Sequence, residues 1–246
     1  MRSCVAVGWF MVGVAVQAMA GTLTVSVRNG AHARENVIVA QRMTHEWAAS
    51  AATAGLAERH PDGRFSPVPF AVDNTGEAPV LVWQMPGATA PDAVRRFEWR
   101  ADHMLRAAPG GDLTVSVDGS RILVANGYFR LAHPVRGRGG FPQDIEYVRS
   151  GHADPELYFL DRIVRKDADG RVMQVCANAC EDAAARVVFA SPLRVVVEVW
   201  TGFGPRAAET PGQPRAVYRY TYSAHSPVVQ VYARYLRTDD GRSEEH

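Results

Sequence analysis

From residue 21 onward, the chain is a series of short segments in which apolar and polar residues alternate. Gly21–Val27 reads GTLTVSV, which has the two-residue period of a half-buried strand, and Arg28-Asn29-Gly30 supplies a turn after it. The Ala-rich stretch His45–Ala57 is compatible with a short helix or with an irregular loop. Further strands before residue 107 are predicted at Val37–Ala40, Val68–Val72, Val80–Gln84 and Val94–Arg100.

Turn-forming residues divide these segments. Asp73-Asn74-Thr75-Gly76 is predicted to join the strands on either side of it, and Pro86-Gly87 is predicted to form a second turn before Val94–Arg100. Ala107–Asp112 reads AAPGGD and is small and turn-rich. We therefore predict a domain boundary there.

The strand pattern resumes after this boundary, with turns at Asp118-Gly119, Asn126-Gly127 and Asp169-Gly170. The predicted strands are Leu113–Val117, Arg121–Ala125, Tyr128–Leu131, Asp144–Val148, Leu157–Ile163, Val172–Val175, Arg186–Phe189, Leu193–Trp200, Ala216–Tyr222 and Val228–Leu236. No segment with the 3.6-residue period of a helix interrupts them. The expected fold class is therefore all-β, with antiparallel sheets packed as sandwiches rather than βαβ units.

The first twenty residues have the pattern of a secretory signal peptide. Arg2 precedes an uncharged apolar run from Val5 to Val16, and Ala18-Met19-Ala20 has the small residues that signal peptidase reads. An uncleaved membrane anchor is the alternative, but the run is short of the roughly 20 apolar residues that a spanning helix needs. We expect cleavage after Ala20, a secreted or periplasmic location, and no membrane association after cleavage.

Charge and arginine content narrow the possible partners. Removal of residues 1–20 takes away Arg2 and no acidic residue, which leaves equal numbers of basic and acidic side chains. Non-specific nucleic-acid binding needs a basic face, so it is not expected. Lys166 is the single lysine. Arginine is the better bidentate partner for carboxylates such as those of uronic acids, although a GC-rich genome produces the same bias.

Several phrases resemble a known family of secreted bacterial enzymes. Ile122–Phe141 reads ILVANGYFRLAHPVRGRGGF, and Leu81–Gly87 reads LVWQMPG ahead of Ala93–Phe97, AVRRF. Ser191–Gly204 begins SPLRVVVEVW, and Ala216–Tyr235 begins AVYRYTYSAHSPVV. In this order they are similar to the front part of exo-rhamnogalacturonan lyase-like proteins.

This resemblance implies a domain plan and a substrate class. It places a small N-terminal β-barrel or sandwich domain at residues 21–106 and a galactose-mutarotase-like β-supersandwich at residues 113–246. In the family this sheet continues and a helical toroid follows, so we expect the chain to correspond to an incomplete, front portion with the main catalytic groups elsewhere. The implied partner is an acidic or pectic polysaccharide. A non-catalytic glycan- or protein-binding module and a complete small lyase or glycosidase are the alternatives.

Candidate sugar-contacting residues gather in one stretch of the second domain. Lyases need a Tyr or His base beside a group that neutralises the uronate, and hydrolases need two carboxylates. His133 and Asp161 belong to the same stretch. The alternative for all of these candidates is that they belong to a solvent-exposed sheet face without a binding role. For Arg136-Gly137-Arg138 the alternatives are a solvated turn and a phosphate-binding loop. The candidates are Arg136, Arg138, Asp144, Glu146, Tyr147, His152, Tyr158 and Arg162.

Cys176 and Cys180 are the two cysteines after residue 20. An even pair in an oxidising compartment suggests a disulfide, which would fit if Arg171–Cys176 and Cys180–Phe189 were the arms of one hairpin. Free thiols and a metal site are the alternatives, although a structural zinc needs four ligands. We expect the disulfide, and we expect no metal and no cofactor.

Four tryptophans are the side chains best able to stack on sugar rings. Trp200 ends a predicted strand beside Thr201-Gly202, and we expect it to be exposed, whereas Trp47, Trp83 and Trp99 are expected in the core. The chain has neither Gly-x-Ser-x-Gly nor His-Glu-x-x-His, which removes the serine-hydrolase and zinc-peptidase classes.

Overall fold

A computed structural model describes residues 13–19, 22–100, 107, 110–156, 161–166, 169–204, 214–236 and 243–245. Nearly all the regular structure is antiparallel β-sheet, which confirms the predicted all-β class. The chain divides into two compact units, Met1–Gly110 and Gly111–His246. Within the described residues, no helix has the length and apolar content needed to cross a membrane.

The described residues of the first unit form eight strands and one short helix. The helix α1, His45–Ala49, is capped by Thr44, whose side chain accepts a hydrogen bond from the Trp47 amide, and a 3-10 turn at Ser50–Ala52 follows it. The strands are β1 Gly13–Met19, β2 Thr22–Arg28, β3 Arg34–Arg42, β4 Gly55–Arg59, β5 Phe65–Pro67, β6 Phe70–Asp73, β7 Val80–Thr89 and β8 Val94–Arg100.

Two sheets of the first unit enclose its core. Their strand orders are β1-β2-β8-β4-β5 and β3-β7-β6. The rings of Trp83 and Phe97 lie 5.5 Å apart, and those of Phe70 and Trp99 lie 4.8 Å apart edge to face. Trp83 and Trp99 are fully buried, and Trp47 packs partly buried against the same cluster, as expected.

The turn expected at Pro86-Gly87 is instead a bulge inside β7. The register between β3 and β7 shifts between Glu35 and Val37, where Asn36 has a φ of 51°. The Asn36 side-chain oxygen accepts a hydrogen bond from the Gly87 amide at 2.9 Å. Because Gly87 adopts a φ of 69° without steric cost, the strand bends here and continues to Thr89.

A buried ion pair links two strands of the first unit. Arg95 of β8 donates through both Nε and Nη2 to the two carboxylate oxygens of Glu58 in β4, with the Nε bond at 2.6 Å. The two side chains are only 14% and 10% exposed. Arg95 also donates to the Pro86 carbonyl at 2.8 Å and to Thr89 Oγ1 at 3.1 Å. The charge is therefore neutralised and extensively hydrogen-bonded, as burial requires.

In the second unit, the part of the chain that the structure describes forms twelve strands in three sheets. The strand orders are β13-β12-β11-β10-β9, β14-β15 and β16-β17-β18-β19-β20. The strands are β9 Thr114–Asp118, β10 Arg121–Ala125, β11 Phe129–Pro134, β12 Gln143–Tyr147, β13 His152–Glu156, β14 Arg162–Lys166, β15 Val172–Cys176, β16 Ala184–Ala190, β17 Arg194–Gly202, β18 Arg215–Ser223, β19 Val229–Leu236 and β20 Ser243–Glu245.

The two large sheets of this unit pack face to face. The Phe129 ring lies 5.8 Å from the Tyr222 ring, and Phe141 lies 5.2 Å from Tyr218. Alternation along the strands turns these residues inward and leaves the opposite faces, here called the outer faces, towards solvent. The outer face of the β9–β13 sheet carries Asp144 and Glu146 of the predicted site.

Asn126, in the Asn-Gly turn between β10 and β11, has a structural role. Its side chain is buried, and its oxygen accepts hydrogen bonds from the amides of Tyr128 and Phe129 at 2.9 and 3.2 Å. Its nitrogen donates to the carbonyls of Ser223 and Ser226 at 3.2 and 2.9 Å. The turn between β10 and β11 is thereby tied to the turn between β18 and β19, so both large sheets share one anchor.

The expected disulfide is wrong: Cys176 and Cys180 are both free. The hairpin that would have joined them does not form, because β15 pairs with β14 and β16 pairs with β17. A 3-10 turn at Ala177–Ala179 separates the two cysteines. Cys180 is buried, and its sulfur accepts a hydrogen bond from the Gly202 amide at 3.3 Å.

Candidate functional site

The Gly-rich turn after β11 uses its backbone amides internally. The amides of Gly137, Gly139 and Gly140 donate to the carbonyls of Ala183, Cys180 and Gly137 at 2.9 to 3.0 Å. A side chain at Gly139 would meet the Ala177 carbonyl oxygen at 2.6 Å, and Gly139 has a φ of 66°. These glycines serve close packing and positive φ, and the amides are not free to hold a phosphate. The phosphate-loop alternative is therefore dropped.

A cavity of about 350 Å³ lies on the outer face of the β9–β13 sheet. Leu123, Ala125 and Ala132 form an apolar floor, because their neighbours Ile122, Val124 and Leu131 point inward and are buried. Polar and charged side chains complete the lining, namely Thr114, Ser116, Arg121, Arg130 and Asp144. An apolar floor with a few polar groups around it is the usual construction of a small-molecule site.

A bulge in β12 brings Asp144 to this cavity. Arg130 pairs with Glu146 and Ala132 pairs with Gln143, so two residues of β12 stand opposite one residue of β11. Asp144 has a φ of 50° at this point. The irregular register places both Asp144 and Glu146 beside arginines of the outer face.

Two exposed ion pairs cross that face. Arg121 Nη1 lies 3.4 Å from Asp144 Oδ2, and Arg130 Nη1 lies 3.4 Å from Glu146 Oε2. Exposed pairs of this kind contribute only about 0–1 kcal/mol to stability. Each guanidinium has five N–H donors, so an arriving carboxylate can be bound without a large loss.

The structure separates the other candidates from one another. Arg138 is exposed in the turn between β11 and β12, and its Nη1 donates to Oε1 of Gln143 at the start of β12 at 3.3 Å. Tyr147 stacks on His152 with the rings 6.0 Å apart, and His152 Nε2 lies 3.1 Å from Asp154.

Arg136 is exposed and forms an isolated bridge with Ala184. Arg162 begins β14, where its Nη1 and Nε donate to the side-chain oxygen of Gln174 at 2.6 and 3.2 Å when the Gln174 amide is oriented with its oxygen towards the guanidinium. Tyr158 lies outside the described residues. Arg138, Asp144 and Glu146 are therefore the candidates that lie at or beside the cavity.

His133 is fully buried between the two large sheets. Nδ1 faces the Gly140 carbonyl at 2.8 Å, so it carries the proton, and Nε2 accepts from the Tyr222 hydroxyl at 2.5 Å. Burial lowers the pKa of His133 to about 4 despite the Gly140 hydrogen bond. At neutral pH it is an uncharged core residue out of reach of a substrate.

Sequence reasoning missed a tyrosine pair on Asp161. The hydroxyls of Tyr218 and Tyr235 both donate to Asp161 Oδ2, at 2.6 Å for Tyr235, and Phe203 stacks on Tyr235. Burial and the bond to Asp161 raise the pKa of Tyr235 to about 12 and push that of Tyr218 upward as well. Both phenols stay protonated at neutral pH, so this cluster holds the start of β14 against β18 and β19 and is not a general base.

The chain was compared with protein-family models and with curated proteins. No family model matches it, and no curated protein matches it.

Proposed function

We propose that this chain is an exported, carbohydrate-associated β protein whose second unit binds an acidic polysaccharide of the pectic type. The observation that carries the proposal is the cavity of about 350 Å³ with Arg121 and Arg130 at its rim and an apolar floor between them. The apolar face of a sugar ring suits such a floor. The planar guanidinium suits the carboxylate of a uronate.

The resemblance to exo-rhamnogalacturonan lyase-like proteins supports the same ligand class. The segment that carries much of this resemblance, Ile122–Phe141, includes β11 and all of β10 except Arg121. It supplies Arg130 and the apolar floor of the cavity. The fold expected from the resemblance, antiparallel sheets packed as a sandwich, is compatible with the described strands.

The side chains at the cavity favour binding of the polysaccharide without cleavage. A lyase needs an accessible base near the bound uronate. His133 is buried and uncharged, while Tyr147 and His152 stack on each other and are not among the residues that line the cavity. Arg121, Arg130 and Asp144 can orient a ligand but do not form an acid–base pair. We therefore propose retention of the polymer as the activity of this unit.

Replacing both cavity arginines should weaken binding. The variant with Arg121→Gln and Arg130→Gln removes two charge-assisted contacts, each worth about 1.5–3 kcal/mol when well formed. We expect the dissociation constant for oligogalacturonate, measured by isothermal titration calorimetry, to rise at least about tenfold.

The matched control is Arg149→Gln. Arg149 is an exposed arginine of the same unit whose guanidinium lies over the Tyr128 ring, away from the residues that line the cavity. It changes the net charge by one without touching the cavity. The single variants Arg121→Gln and Arg130→Gln change the net charge by the same amount as the control. If Arg149→Gln loses as much affinity for oligogalacturonate as either of them, charge alone, and not this site, determines binding.

Export predicts a processed N-terminus. We expect material recovered from the periplasm or medium to begin at Gly21, as determined by N-terminal sequencing. Cleavage after Ala20 would remove β1, which pairs with β2, and would leave β2 at the edge of its sheet. Exported material that begins at Met1 would contradict the proposal.

A further inference from the structure

The second large sheet of this unit has an outer face that differs in character from the cavity face. Alternation turns Tyr218, Tyr220 and Tyr222 inward, where they are buried. On β16–β18 the outer positions then carry arginines at 186, 194, 215 and 219, and Glu198 is the single acidic side chain among them. The face is therefore cationic and complementary to a polyanion.

Trp200 lies on this face and is 41% exposed. Its indole Nε1 donates to Glu198 Oε1 at 2.8 Å, so the ring leans back along its own strand. Val217, directly opposite Trp200 on the same face, is only 4% exposed. The hydrogen bond to Glu198 restrains the indole, and the exposed part of its ring is open to a ligand.

Glu198 holds the indole in this position. Arg186 Nη2 donates to the same carboxylate oxygen at 2.7 Å. Burial opposes ionisation of Glu198, but the hydrogen bonds from Arg186 and Trp200 outweigh it and lower the pKa of this carboxyl below its usual value. The carboxylate is charged at neutral pH, so the ring is positioned before any ligand arrives.

A second exposed aromatic ring extends the surface. Tyr232 is 45% exposed on β19, and it stands opposite Arg219, which stands opposite Glu198. From the spacing of strands and residues in a sheet, the Cα atoms of Trp200 and Tyr232 are roughly 12 Å apart. A short oligosaccharide lying across Arg219 could contact both rings.

We propose that this outer face is a second saccharide-binding surface, on which a sugar ring of an acidic glycan stacks on Trp200 and its carboxylates are held by the neighbouring arginines. The ligand class rests on the proposed function. Aromatic rings in a cationic groove also bind single-stranded nucleic acid. The proposed function favours the glycan, and binding of single-stranded nucleic acid is the alternative outcome of the experiment.

The experiment uses Trp200 as its own reporter, since it is the single tryptophan of residues 111–246. Oligogalacturonate is titrated into the full chain, and the fluorescence of Trp200→Phe is subtracted. We expect a saturable change that persists in the Arg121→Gln, Arg130→Gln variant. Adding Trp200→Ala to that variant removes the reporter, so its affinity is measured by calorimetry and should be about tenfold lower. Val117→Ala, an exposed apolar residue on β9, is the matched control and should leave the titration unchanged.

The results separate this inference from the proposed function. Calorimetric binding that depends on Arg121 and Arg130 without any change in Trp200 fluorescence overturns the second surface and leaves the cavity intact. Trp200→Ala and Tyr232→Ala can each be added to the arginine double variant. If neither changes its affinity for oligogalacturonate, the second surface is also overturned. A larger Trp200 response to a single-stranded oligonucleotide of equal charge than to oligogalacturonate would overturn the assigned ligand class.

Discussion

Replacing Glu58 with alanine is expected to lower the free energy of unfolding of the first unit by about 3–5 kcal/mol, because it leaves the buried guanidinium of Arg95 without its counter-ion. The pair is bidentate and its side chains are at most 14% exposed. Chemical denaturation followed by near-UV circular dichroism of the buried Trp83 and Trp99 measures the effect.

Glu77→Ala is the matched control, because Glu77 is an exposed carboxylate in the loop after β6. Its effect should stay within about 0.5 kcal/mol. The double variant with Glu58→Leu and Arg95→Met should recover much of the lost stability, since apolar replacements of a buried pair are often tolerated. Equal stabilities of the Glu58 and Glu77 variants would show that the ion pair is not buried as described.

The stability of the second unit is expected to fall by about 3 kcal/mol as the pH decreases from about 6.5 to about 4, through His133 alone. The pKa of His133 is about 4 in the folded chain, against 6.5 for an ordinary histidine. Between these values the unfolded chain binds a proton that the folded chain does not. The contribution is therefore fully present above about pH 6.5 and is lost as the pH approaches 4.

His133→Gln removes this titration and serves as the reference. The difference in unfolding free energy between wild type and His133→Gln should decrease with falling pH in this window, as followed by Trp200 fluorescence in denaturant. His152→Gln, which changes an exposed histidine of the same unit, should leave the pH dependence intact. A difference that stays constant from pH 6.5 to 4 would contradict the buried, neutral state of His133.

The alternation of residues predicted most of the sheet strands. The segments at 22–28 and 121–125 alternate between more and less buried residues, and they are strands β2 and β10. The segment at 94–100 is strand β8, although Phe97, Glu98 and Trp99 are all buried. β13 was not predicted, because His152–Glu156 is polar and contains Pro155. It is an edge strand, where proline is tolerated.

Features that depend on irregular backbone or on distant contacts could not be predicted. Alternation alone does not reveal the bulges at Gly87 and Asp144, which need positive φ at single residues. The disulfide was expected from a hairpin between β15 and β16, but each of these strands pairs with another partner.

The burial of individual candidate residues could not be predicted from the sequence either. His133 had the residue type of a base, and only the contact with Tyr222, 89 residues away, shows that it belongs to the core. Asp161 and Tyr235 are 74 residues apart. The exposure of Trp200 was predicted correctly, but its position beside glycine is not the reason, since Thr201 and Phe203 are buried. Trp200 is exposed because alternation along β17 puts it on the outer face.

The most direct test of the proposed function compares two forms of one polymer. The wild-type chain is titrated by calorimetry with polygalacturonate and with the same polymer after methyl esterification, which removes the carboxylate charge and keeps the sugar backbone. We predict saturable binding to the free acid that weakens as salt is added, and at least about tenfold weaker binding to the ester. Equal affinity for the two forms, or no binding to either, would contradict the account.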